Sequence, residues 1–128
     1  MVQQVSNNIK ITVCSEVDIE QSNMEKGLYL HTYTVHIENL KDVSVQLLRR
    51  KWFIRSQYGS VKIVDGEGVV GETPIIEPKA TYIYSSYCVL ECNFGSMEGH
   101  YTFHNLGDDS RFTAEIPRFE LENKWILN

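Results

Sequence analysis

Positive charge is in the minority: 12 Lys and Arg stand against 17 Asp and Glu, a formal net charge of −5 over 128 residues. Nucleic-acid binders usually show a basic face, so this balance argues against that class while leaving room for one local basic patch. Cysteine is sparse and odd in number, at Cys14, Cys88 and Cys92. An odd count without a signal-peptide pattern fits a reducing compartment, and a cytoplasmic location is expected. No apolar run approaches the roughly 18 residues that a membrane helix needs, so no membrane partner is expected. A sustained helical period is missing as well. The length suits one domain, 1–128, able to bury about two-thirds of its unfolded surface without disulfide or metal.

What is present is period-two alternation. Residues 1–8 are polar and read as a frayed N-terminal arm. Ile9, Ile11 and Val13 alternate with polar neighbours as in a half-buried strand. Residues 15–27 carry no apolar period and read as a loop, with at most one helical turn near Met24. In 28–38, Tyr29, His31, Tyr33, Val35 and Ile37 fall on one face of a strand. In 44–56 the phase changes: Val45 and Leu47 share one face, and Leu48, Trp52 and Ile54 the other. One extra residue swaps the faces, so a β-bulge is expected near Leu47 and Leu48. Tyr58-Gly59 reads as a hairpin turn before a strand at 61–64. Pro74 and Pro78 bracket an extended, edge-like Ile75-Ile76.

Further strands are expected at 81–85, 87–92, 97–104 and from Phe112 to Ile116, with Phe94-Gly95-Ser96 as a turn and Pro117 weakening a strand end. Tyr101 and Phe103 are expected to face away from His100 and His104. Phe119 and Leu121 alternate with acids before a tail at 122–128 that carries Trp125, Ile126 and Leu127. Many short strands at regular spacing predict an all-β antiparallel sandwich or small barrel.

The densest chemistry lies at 45–73. Gly66, Gly68 and Gly71 spell G-x-G-x-x-G. A dinucleotide fingerprint must follow a strand and open a helix. The strand is there, but Val69-Val70 prefer extended backbone and Pro74 follows Thr73, so a Rossmann site is rejected. The glycines are expected to make a turn or bulge and allow close backbone approach. The functional alternative is a helix-free nest of backbone N–H groups for a small anion. Just before them, Arg49, Arg50 and Lys51 form the one dense basic run. Alternation places Arg49 and Lys51 on one side and Arg50 on the other. Planar guanidinium forks suit carboxylates and phosphates, whereas the plainer reading is solvated or ion-paired surface charge.

Other constellations are weaker. His100 and His104 share a face but stand roughly 13 Å apart along a strand, too far for one ion; no metal or cofactor is expected. Cys88 and Cys92 lack the tight turn of a C-x-x-C site. Ser96, Glu98 and His100 lie close together, yet no nucleophile elbow or oxyanion hole accompanies them. The chain is therefore expected not to be an enzyme.

The blocks V-Q-L-L-R-R-K-W at 45–52, G-E-G-V-V-G-E-T-P at 66–74, F-G-S-M-E-G-H-Y-T-F at 94–103 and I-P-R-F-E-L at 116–121, in that order, resemble the signature blocks of the bacterial ApaG family. The resemblance implies an immunoglobulin-like or fibronectin-type-III-like β-sandwich. It also implies kinship with domains of larger eukaryotic proteins, an F-box substrate adaptor and a polymerase-delta-interacting protein among them, that act as interaction modules. An association with cobalt and magnesium resistance or efflux is implied too, and the glycine motif carries suggestions of nucleotide or pyrophosphate binding. Lys51 stands where the family commonly has His, so a function needing that imidazole is not carried over.

Two functions follow as expectations. The first is a non-enzymatic module that binds a protein or acidic peptide through the exposed sheet around Arg49, Arg50 and Lys51 and the loop from Gly66 to Glu72. The second is small-anion, pyrophosphate or nucleotide binding at Gly66, Gly68 and Gly71, with or without a metal. Open sheet edges and the apolar tail also make a homodimer an option.

Overall fold

The computed structural model describes residues 1–123; Trp125, Ile126 and Leu127 lie outside them, and with them the expectation about the tail. Nine strands follow in order: β1 (Val2–Ser6), β2 (Ile9–Asn23), β3 (Leu28–Asn39), β4 (Val45–Ser56), β5 (Val61–Glu67), β6 (Ile75–Ile76), β7 (Thr81–Leu90), β8 (Phe94–Asn105) and β9 (Arg111–Glu122). The first sheet runs β1-β2-β3-β7, the second β5-β4-β8-β9 with β6 also on β4, and every named strand pair is antiparallel. This is the expected antiparallel sandwich.

The core is built by the alternation read above. Ile9, Ile11 and Val13 of β2, Val35 and Ile37 of β3, and Tyr101 and Phe103 of β8 are all buried. Trp52 sits at the centre, edge-on to Tyr33 (5.5 Å), Phe119 (5.9 Å) and Tyr101 (6.3 Å). Edge-to-face packing of this kind adds to the area each ring removes from water. His31 joins the apolar row, as expected, and is buried.

Five expectations are corrected. The N-terminal arm is strand β1, paired from Val2↔Val13 to Ser6↔Ile9, with Asn7 and Asn8 at positive φ in the turn. The supposed loop at 15–27 is mostly strand: β2 pairs with β3 as far as Asn23, with a register shift between Asp18 and Asn23. Its residues are half-exposed, so backbone pairing and not burial holds them, and polar sequence gives no sign of it. Phe94-Gly95-Ser96 opens β8; a Cβ on Gly95 would stand 2.3 Å from the Arg55 carbonyl oxygen, so strand packing and not turning is what this glycine serves. Pro117 lies inside β9: Met97 pairs with Phe119 but Gly99 with Ile116, a bulge in which a residue without an N–H is tolerated. Glu122, assigned above to the tail, closes β9.

Candidate functional site

Two interruptions of β4 meet at one place. Leu47 pairs with Phe103 and Arg49 with Thr102, leaving Leu48 as the extra residue of the expected bulge. On its other edge β4 is shared: Arg49 to Arg55 pair with β5, Val45 and Gln46 with β6. The glycine loop fills the gap between these two partners. Gly68 N donates to the Leu48 carbonyl (2.8 Å), and Leu47 N to the Pro74 carbonyl (3.0 Å).

Each glycine has its own reason. Gly66 lies opposite Arg50 in the β4–β5 ladder. Gly68 has φ +65°, and a Cβ there would stand 2.2 Å from the Glu72 carbonyl oxygen. Val69 N and the Glu72 carbonyl bond at 2.8 Å, and Glu72 N and the Val69 carbonyl at 3.0 Å. The two residues between, Val70 and Gly71, have φ 47° and 79°, as a tight hairpin turn of the mirror-image type demands. Val69 is buried in the core, while Val70 is exposed. The loop is thus a miniature hairpin clipped onto the bulge.

Arg50 lies on the same strand face as Trp52, the inner one, and is half-buried. Its Nη1 donates to the carbonyls of Glu67 (2.9 Å) and Gly68 (3.0 Å). The guanidinium therefore clamps the loop's first turn. Beneath it the hydroxyls of Tyr84 and Tyr101 hydrogen-bond to each other. Burial pushes both phenols well above the ordinary range, and the charge of Arg50 offsets this only in small part. Tyr82 Oη donates to Glu72 Oε2 at 2.9 Å and ties the loop to β7; burial and then that carboxylate push its phenol up.

Arg49 and Lys51 are on the outer face, as alternation requires. Arg49 pairs with exposed Asp65 (3.2 Å), and the Lys51 ammonium lies 5.6 Å from the Phe53 ring centre. Phe53 is opposite Ile63 of β5, and Arg55 reaches Glu98 at 3.3 Å. A shallow depression of about 250 Å³ runs beside Phe53, Arg55, Glu98 and His100.

The basic run is therefore split. Gly66, Gly68 and Arg50 come together in one clamp, Gly71 turns the small hairpin beyond it, and Arg49 belongs to a separate outer surface. Counting back from the Tyr58-Gly59 turn pairs Arg50 with Gly66, a signal present in the sequence. The acid tie from Glu72 to Tyr82 and the Tyr84–Tyr101 hydroxyl pair carry no such signal. A second concavity, about 720 Å³ and lined by Val13, Val17, His31, Phe119 and Glu122, includes no glycine-loop residue. The histidines are scattered over the core and both outer faces, and among the described residues no three His, Cys, Asp or Glu are grouped to hold an ion. Cys14 is exposed and Cys88 and Cys92 are buried, all as free thiols.

Residues 19–105 match the ApaG domain family. The chain is 40% identical over 123 residues to Protein ApaG of Proteus mirabilis, covering 96% of this chain and 98% of that one. It is 44% identical over 121 residues to Protein ApaG of Shewanella denitrificans, covering 94% and 95%. An X-ray structure of a structural-genomics target superposes with a TM-score of 0.86 at 38% identity, covering 91% of this chain and 88% of that one. The order of the signature blocks, the sandwich that carries them and these likenesses agree: the chain belongs to the ApaG family.

Proposed function

We propose that this protein is a non-enzymatic interaction module whose outer face at β4 and β5 receives an extended, acidic segment of a partner protein. The observation that carries this is a mixed surface on an open edge. Among the described residues strand β5 ends its sheet, and its outer N–H and C=O groups are open to another strand. Val61 and Ile63 on it are 44% and 58% exposed. On the same face Arg49, Lys51 and Arg55 of β4 stand opposite Glu67, Asp65 and Val61 of β5, so the positive charge lies one strand in from the edge, within reach of long acidic side chains of an added segment. The ion pairs of Arg49 and Arg55 are exposed and weak, so an incoming carboxylate exchanges for them at little cost. In this reading Arg50 and the three glycines position the surface and do not touch the partner.

The immunoglobulin-like or fibronectin-type-III-like character that the family resemblance implies supports the same role, as does a cytoplasmic setting for three free thiols. A link to cobalt or magnesium resistance would then act through the partner. Small-anion or nucleotide binding at the glycine loop has less support: the N–H groups of Gly68, Val69 and Glu72 already donate to carbonyls, and Glu67 and Glu72 add negative charge. Binding heat with pyrophosphate or nucleotide, with or without Mg²⁺ or Co²⁺, would restore it.

The test is affinity capture with wild type, Lys51→Glu and Ile63→Asp, each checked for an unchanged melting temperature. Loss of the captured protein in both variants is expected. Equal capture by folded Ile63→Asp would remove the reading.

A further inference from the structure

Among the described residues, strand β7 ends the other sheet and pairs on one side only, with β3. Natural edge strands are commonly blunted by charge, proline, a bulge or short length. Strand β7 has none of these: Thr81–Leu90 is ten residues long, contains no Asp, Glu, Lys, Arg or Pro, and pairs with β3 without a register shift. Its outward row is Thr81, Ile83, Ser85, Tyr87 and Val89, with Ile83 55%, Tyr87 65% and Val89 49% exposed.

That row is compatible with itself. About a two-fold axis through Ser85, antiparallel pairing sets Ile83 against the second copy's Tyr87, an aromatic–β-branched pair of the kind that stabilises sheets. Thr81 falls against Val89, and Ser85 against Ser85. The first charges beyond the strand, Lys79 in a turn at φ 66° and Glu91 in a bend, then come near each other at both ends. Other registers lose this match. An odd slip turns one copy's outward row to the wrong face. A two-residue slip one way puts Glu91 opposite Glu77 and Val89 opposite Lys79. The same slip the other way puts Glu91 opposite Thr81 and Lys79 opposite Asn93. In the monomer the Lys79 ammonium donates to the Leu40 carbonyl at 2.7 Å and pairs with exposed Asp42 at 3.5 Å; both contacts are at the surface, and reaching Glu91 of a second copy means exchanging them.

We propose that β7 is a homodimerisation edge, paired with β7 of a second copy in this register, joining the two four-stranded sheets into one. The surface is on the sheet opposite the partner face of β4 and β5, so either can fail without the other. A single strand pair is a small interface of the weak, transient class, so a concentration-dependent equilibrium is expected.

Sedimentation equilibrium of the full chain, from about 1 to about 500 µM, should show a monomer–dimer equilibrium. Ile83→Lys and Tyr87→Lys should each shift it at least tenfold towards monomer, with circular dichroism and melting unchanged. Should either variant not fold, the charges decide. Lys79→Glu and Glu91→Lys should each weaken the dimer, and the double swap should restore it. In a Cys14→Ser background, Ser85→Cys should form a disulfide-linked dimer on mild oxidation, because directly opposed strand residues lie within disulfide reach. A monomer throughout the concentration range overturns the proposal. So does a dimer that Tyr87→Lys leaves intact, or a charge swap that fails to restore what the single changes lost.

Discussion

Arg50 lies directly across the β4–β5 ladder from Gly66, and a methyl group on that glycine would come within 2.9 Å of the guanidinium Nη1. The clamp on the loop exists because one residue has no side chain where the other needs room.

Removing the clamp should cost stability. Arg50→Ala leaves the part-buried Gly68 carbonyl and the exposed Glu67 carbonyl without their donor and should destabilise by about 1–2 kcal/mol in urea unfolding. Arg50→Lys should recover part of this, since an ammonium is a single point and not a fork. An unchanged midpoint for Arg50→Ala would mean that water replaces the guanidinium without loss.

The three glycines should rank unequally. Gly68→Ala combines a positive φ with a clash against backbone, and about 2–4 kcal/mol is expected. Gly71→Ala meets nothing within 4 Å and should cost only the left-handed penalty, about 1 kcal/mol. Gly66→Ala presses on the movable end of Arg50, so its cost should shrink in an Arg50→Ala background. Equal costs in both backgrounds would deny the coupling.

Val70 is a β-branched residue at φ 47° in a two-residue turn, a position that favours Asn before Gly. Val70→Asn is exposed and should stabilise by roughly 1 kcal/mol, raising the melting temperature by a few degrees. A fall in melting temperature would contradict the turn assignment.

His31 should make the fold acid-sensitive. Burial lowers its pKa from the usual 6.5. Between that value and the lower folded one, the unfolded chain binds the extra proton. Stability is therefore full above about pH 6.5 and falls as pH drops through this window. His31→Met should flatten the melting temperature between about pH 7 and 5 relative to wild type. Parallel pH profiles would assign the acid loss to other groups.

Much of this was legible in the residues. Tyr29 to Ile37 and Phe112 to Ile116 alternate because each strand has one wet and one dry face. The phase break at Leu47 and Leu48 announced the bulge for the same reason. The legible part ends where burial ends: 15–23 is strand, yet its polar residues are held by backbone pairing, which side-chain type does not encode. Pro117 reads as an ending because the sequence does not show that a bulge relieves it of a ladder hydrogen bond.

The sequence by itself determined an all-sheet chain of the ApaG family, the core rows, and the rejection of a helix after the glycines. Only the tertiary structure decided that Arg50 turns inward to hold backbone carbonyls while Arg49 faces solvent beside an open edge. Alternation says that neighbours point to opposite faces; which face is interior, and what waits there, depends on the second sheet that packs across it.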